Sequence, residues 1–174
     1  DQNPQGITFL DAAWLAVAND LGETLSLVDR VSGEVKSVPI DFAPDVGGLD
    51  VSGLAFDPAA SRLYALLSSI NAVAAYDVDL GASPPQLTLA GRLPTGWWPS
   101  GVVVHPDGSL TITNLRGRPI GVFEQDESFG GPDTTSGHKF MRGSVQHVPA
   151  PGAGDLAAGE AQVDLDAAVA EYEG

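Results

Sequence analysis

Few side chains in this 174-residue chain are equipped for chemistry. It has three histidines, His105, His138 and His147, and no cysteine. No two histidines stand at the i, i+4 spacing that puts a pair of metal ligands on one helix face, and none neighbours a carboxylate in a recognisable catalytic motif. His105 precedes a turn and His147 falls on an alternating apolar stretch, so both read as structural positions. Without thiols, zinc-thiolate centres, disulfides and cysteine nucleophiles are excluded. Ser52, Ser100 and Ser144 each stand beside a glycine, but none lies in G-x-S-x-G, and a serine nucleophile also needs a base within reach. The glycines of GGLDVSGLAF (47–56) and SFGG (128–131) lack the strand-loop-helix setting of a phosphate cradle. No catalytic residue is assigned.

Two features remain as candidates for binding. One is the pair of adjacent tryptophans in GWWP, Trp97 and Trp98. The other is LRGRPIGVFEQDESFGGPDTTSGHKFM (115–141), longer than the roughly 12–15 residues beyond which a structureless loop tends to be functional or disordered. Together with Arg142 it holds four of the eight basic residues, Arg116, Arg118, Lys139 and Arg142, and it contains His138. These seven residues, Trp97, Trp98, Arg116, Arg118, His138, Lys139 and Arg142, are the candidate ligand or partner contacts. DESFGGPDTTSG (126–137) carries the hard oxygen donors that suit calcium, but not at EF-hand spacing. No cofactor or metal is therefore expected.

The elements that position these residues must be short strands. Glycine (21) and proline (13) are abundant and 43% of residues are hydrophobic, which suits a folded domain of strands and tight turns. A formal net charge of −15 would repel nucleic acid and anionic membrane surfaces, and otherwise serves solubility. No apolar run approaches the roughly 20 residues of a membrane-spanning helix, and DQNPQGITFL shows neither the basic nor the apolar region of a signal peptide.

An internal repeat organises the chain. LDAAWLAVAN (10–19) and PAASRLYALL (58–67) align without a gap, and PDGSLTITN (106–114) joins them with one turn residue deleted. VSGLAFDP (51–58) likewise matches PSGVVVHP (99–106). TLSLVDRVSGEVKSVPI (24–40), AVAAYDVDLG (72–81) and GSVQHVPAPG (143–152) follow as hairpin-like segments. About four strands per unit is the size of one blade of a β-propeller, whose rings hold roughly 4 to 8 blades. The first unit lacks its innermost strand unless QGITFL (5–10) supplies it, and the third has no certain fourth strand. Three blades cannot close a ring, so exposed blade edges are expected to need partners.

PSGVVVHPDGSLTITN (99–114), with Pro99, Val102, Val104, Pro106, Asp107, Gly108, Leu110 and Asn114 in place, resembles the YVTN β-propeller repeat, within the WD40-like and quinoprotein-like fold group. The likeness covers 6 to about 114 and is weaker in the second copy, where Leu67 replaces the asparagine. LPTGWWPSGVVVHPDG (93–108) and MRGSVQHVPAPGAGDLAAGEAQV (141–163) are also similar to the closing blades of YVTN propellers that precede a phosphoesterase domain of the alkaline phosphatase superfamily. That phosphatase's metal ligands and nucleophile are absent from this segment.

The resemblance implies an all-β fold of about three four-stranded antiparallel blades (about 5–48, 49–96 and 97–154, with the insertion 115–141), part of a larger seven-bladed ring. The tail, 155–174, is expected to be a helix capped by Asp155, with Leu165, Val169 and Tyr172 on one face, or a last strand in GEAQVDL. The implied function is a non-catalytic scaffold or binding module of a periplasmic or secreted protein. Its implied partners are the remaining blades, an adjoining domain or another copy of the chain. The rival readings are a segment of a lactonase-like or hydrolase-like propeller enzyme, and an accessory domain presenting a phosphoesterase. Trp97 and Trp98 either pack the seam between blades or line a surface that binds.

Overall fold

In a computed structural model, residues 3–40, 42, 48–115 and 143–166 are described. Eleven strands form three antiparallel sheets and one helix follows. The first sheet is β1 (Pro4–Phe9), β2 (Trp14–Asn19), β3 (Thr24–Asp29) and β4 (Val35–Pro39), in chain order. The second repeats that order with β5 (Val51–Asp57), β6 (Arg62–Leu67), β7 (Ala72–Asp79) and β8 (Gln86–Pro94). The third holds β9 (Pro99–Val104), β10 (Leu110–Asn114) and β11 (Ser144–Val148). β1 thus supplies the inner strand that the first repeat needed. The third sheet has three strands among the described residues, not four, because GEAQVDL belongs to the helix α1 (Ala153–Asp166).

Each inner strand carries the same irregularity. The register shifts between Pro4 and Gly6, between Val51 and Gly53, and, where Asn114 faces Pro99, beside Gly101. The extra residue, Gln5, Ser52 or Ser100, is a bulge that increases local twist. Gly6 and Gly53 follow their bulges for a packing reason: a Cβ on Gly6 would lie 2.9 Å from the Gly53 Cα. β1 therefore lies against β5, and β5 in turn packs on β9.

Burial along the strands follows from sheet order. In β2 buried and half-buried residues alternate, and in β10 the sequence LTITN alternates apolar with threonine, because one face of each is covered within the chain. RLYALL and AVAAY are apolar almost throughout, because the middle sheet is covered on both faces. One face, Leu63, Ala65, Ala72, Ala74 and Tyr76, packs on Ala16, Ala18, Leu25 and Leu27 of the first sheet. The other, Tyr64, Leu66, Val73 and Ala75, packs on Leu110 and Ile112 of the third. Each fully buried leucine in these seams contributes about 1.5–3 kcal/mol relative to exposure.

Helix α1 crosses back over the second sheet and packs on β8. Leu156, Gly159, Glu160 and Val163 form its covered stripe, at i, i+3, i+4 and i+7. Leu156 joins the seam between the second and third sheets and Val163 the seam between the first and second. Gly91, at φ 140°, and Gly159 permit the contact: a Cβ on Gly91 would meet Leu156 at 3.0 Å, and one on Gly159 would strike the Arg92 carbonyl. Buried Arg92 pairs with Glu160 and lies over the Phe42 ring at 4.9 Å. Asp155 sits inside the first turn, not at the cap; its carboxylate accepts the Gly152 N–H at 2.9 Å, as a capping-box acid does. The expected face of Leu165, Val169 and Tyr172 lies outside the residues whose side chains are described.

Candidate functional site

Strict antiparallel order sorts the connections to two ends of the stacked sheets. The β2–β3 and β6–β7 turns share one end with Leu115, Gly143 and the segments 48–50 and 95–98. The β1–β2, β5–β6 and β9–β10 turns lie at the other.

At the first end the GWWP loop is gripped from both neighbouring sheets. Asn71 accepts the Thr95 N–H on its backbone carbonyl at 2.8 Å and the Trp98 N–H on its side-chain oxygen at 2.9 Å. The hydroxyls of Ser52 and Ser68 donate to the Pro99 carbonyl at 3.1 and 2.6 Å. From the third sheet, Gln146 accepts the Gly96 N–H at 3.2 Å, and the Leu115 N–H reaches the Trp98 carbonyl at 2.8 Å. Side chain is excluded at Gly96, where a Cβ would lie 2.7 Å from the Asn114 amide nitrogen.

This clamp holds Trp98 at φ 58°, a left-handed conformation that costs a bulky residue on the order of 1–3 kcal/mol. Trp98 is half-buried, while Trp97 is turned outward with 55% of its surface exposed. The two tryptophans thus divide their work: Trp98 anchors the loop and Trp97 is displayed. The other candidates, Arg116, Arg118, His138, Lys139 and Arg142, lie outside the described residues, as does the calcium-like segment 126–137. Their flanks, Leu115 and Gly143, leave the sheet at this same end.

Asn19 and Asn114, each at the end of a strand, reach across to the following strand. Asn19 donates to the Thr24 carbonyl at 3.3 Å and to the Ser26 hydroxyl at 2.8 Å; Asn114 donates to the Ser144 hydroxyl at 3.2 Å.

Also at this end, Asp50 lies near Asp20 and Glu23. Burial first, then these two negative charges, push its carboxyl above the usual range. A carboxyl raised in the fold favours folding below its ordinary pKa and loses that contribution as pH rises through the raised value. Asp50→Asn is therefore expected to stabilise the protein at pH 7 by about 0.2–1 kcal/mol, the scale of partly exposed charge interactions. The gain should shrink towards pH 3, as paired urea titrations at the two pH values would register; Asn suits the φ of 49° equally well.

At the opposite end the Asp107-Gly108 reversal forms as its sequence predicts, with Gly108 at φ 80°. The Ser109 hydroxyl and N–H hold the Asp107 carboxylate at 2.6 and 3.0 Å and keep its carboxyl below the usual range. Here the fold brings together two residues that sequence reading had separated. His105 and His147 lie with ring centroids 6.2 Å apart, at the edge of an open groove of about 590 Å³. Their positions follow from cross-strand register, as His147 faces Thr111 and the His105 Nε2 lies 2.8 Å from the Thr111 hydroxyl. No spacing rule could have paired them, since the long β10–β11 insertion separates them in the chain.

Among the described residues, no three histidine or acidic side chains converge as a metal-binding group. No described helix is long and apolar enough to cross a membrane.

Three stacked antiparallel sheets with neighbouring inner strands define the chain as a segment of a β-propeller. Solved propeller-type structures share the architecture. A putative 6-phosphogluconolactonase from Bacteroides uniformis ATCC 8492 aligns with a TM-score of 0.54 and 19% identity, over 64% of this chain and 33% of that one. Virginiamycin B lyase from Staphylococcus aureus aligns with a TM-score of 0.52 and 14% identity, over 89% and 44%. Hydrazine synthase from Kuenenia stuttgartiensis aligns with a TM-score of 0.51 and 23% identity, over 64% and 29%. At such identities the likeness is one of fold. The chain spans less than half the length of each of these structures. No family profile matches the sequence, and no curated protein matches it.

Proposed function

We propose that this chain is a non-catalytic scaffold and binding module of the YVTN propeller type, part of a larger extracytoplasmic protein, which displays Trp97 to a protein partner. The observation that carries the reading is the clamped GWWP loop. Backbone strain at Trp98 is maintained by hydrogen bonds from two sheets, and the result is a rigid, outward aromatic. Rigid exposed tryptophans contribute large contact area at low entropic cost and are over-represented among the residues that dominate interfaces. The resemblance to the repeat supports the extracytoplasmic setting.

The open sheet faces support a larger ring. On the first sheet, Ile7 and Phe9 are more than 60% exposed, in register with Val17 and Leu15. On the third, Val103 and Val145 are exposed on the face that carries Thr111 and Thr113. Equivalent positions of the middle sheet pack against a neighbouring blade, Leu54 and Phe56 partly buried on one face and Val73 fully buried on the other. Further blades are the partners these faces fit.

Two measurements test the proposal. Purified chain assayed with lactones and phosphate esters, with and without divalent metals, is expected to show no turnover; turnover dependent on the chain would overturn the non-catalytic reading. In a peptide-display selection against the chain, enriched peptides are expected to lose about tenfold or more affinity for Trp97→Ala, a substitution that should leave stability within about 0.5 kcal/mol. Peptides indifferent to Trp97→Ala would remove the proposed contact.

A further inference from the structure

We propose that His105 and His147 form a two-imidazole site for a divalent transition-metal ion of the zinc, nickel or copper class. The site lies on the open face of the third sheet, away from the tryptophan loop. An imidazole nitrogen binds such an ion at about 2.0–2.1 Å, which puts the ring centre about 3.2 Å from the metal. Two rings on one ion therefore have centres about 5.2 Å apart at a tetrahedral angle and up to about 6.4 Å apart when they lie trans. The observed 6.2 Å lies near the trans limit, with the planes tilted at 54° rather than stacked, and rotation of the exposed His147 side chain would close the pair towards the tetrahedral value.

His105 is prepared for this role. Its backbone is fixed on both sides of the turn, as its N–H donates to Ser109 at 2.8 Å and its carbonyl accepts the Gly108 N–H at 2.9 Å. The Thr111 hydroxyl, which can donate or accept, engages Nε2 and leaves Nδ1 available to ligate, an outer contact that orients a metal-binding imidazole. His147 is exposed and is held on β11 directly opposite Thr111, so strand register keeps the two rings together.

The surroundings select the ion. Asp107, Ser109 and Thr111 line the groove with oxygens, and the chain's net charge of −15 favours a cation over an anion. Two imidazoles are borderline donors that suit zinc, nickel and copper, whereas calcium and magnesium require an all-oxygen shell. With two protein ligands, the remaining coordination positions are open to water or to a donor from whatever sheet covers this face.

Calorimetric titration of the intact chain with Ni²⁺ and Zn²⁺ alone tests the site, with Mg²⁺ as the control cation. One ion per chain is expected to bind in the micromolar range, and Mg²⁺ should not. His105→Ala and His147→Ala should each weaken binding about tenfold or more, and Thr111→Val should weaken it several-fold. Proton NMR should show the His105 and His147 ring signals moving together on Zn²⁺ addition, and the thermal midpoint of each variant should confirm folding. Failure of the folded wild-type chain to bind, or binding indifferent to both His105→Ala and His147→Ala, would overturn the assignment.

Discussion

Replacing Leu156 by alanine is expected to destabilise the protein by about 2–5 kcal/mol, and most of that loss should appear as release of helix α1. Leu156 is fully buried between the second and third sheets. An isolated helix of 14 residues is marginal in water, so α1 persists because it is docked. Its covered stripe offers two buried aliphatic side chains, Leu156 and Val163, and the Arg92–Glu160 pair. Losing the larger of the two removes a share comparable to the whole docking energy. Hydrogen exchange should show α1 amides losing protection in Leu156→Ala before those of β6 and β7. Equal loss everywhere would mean that the helix is an integral part of the core, not a docked strap. Gly154→Ala is a useful counterpart: nothing lies within 4 Å of the added carbon, and helix propensity favours alanine by up to about 1 kcal/mol.

The second large effect belongs to Gly6→Val, expected to cost about 1–3 kcal/mol or more by overpacking. Valine is the better strand former, by up to about 1 kcal/mol on host-protein scales. That preference is outweighed because its Cβ would meet backbone, Gly53 Cα at 2.9 Å and the Leu54 nitrogen at 3.2 Å, and backbone cannot rotate aside. The two inner strands must part, which opens the seam lined by Ala16, Ala18, Leu63 and Ala65. A fall in the urea midpoint accompanied by binding of a hydrophobic dye is the expected signature. A midpoint equal to that of the wild type would show that the inner strands are not in close contact.

Much of the fold was legible because blade construction is local. The turn at Asp107-Gly108, the alternation of LTITN and the near-continuous apolar runs RLYALL and AVAAY each state a strand and how many of its faces are covered. The repeated Ser-Gly of VSGLAF and PSGVVV falls at the bulge, which the strand pattern alone did not reveal, and the matching Gly6 in QGITF has no serine before it. The tail was ambiguous for a physical reason. Leu156, Gly159 and Val163 are sparse for a helical stripe, and the second glycine lowers helix propensity, yet that glycine is what allows close approach to β8. Trp97 and Trp98 read alike in sequence, because the Asn71 and Gln146 contacts that separate their roles come from elements remote in the chain. The His105–His147 pair was invisible for the same reason: its geometry depends on the register of β10 with β11 across an insertion whose length says nothing about register.

The docking of α1 has a consequence for synthesis. It is the last described element in the chain, but it completes a hydrophobic layer begun by the second sheet. A chain emerging from the ribosome N-terminus first can form most of the seam between the first and second sheets early, using residues up to about Asp79 and leaving only the places of Leu87 and Val163 to be filled. Tyr64, Leu66 and Val73 must then wait, first for β10 and finally for Leu156. The interval between those events is the period in which the nascent protein presents its largest uncovered apolar surface, and where a chaperone would have most to protect.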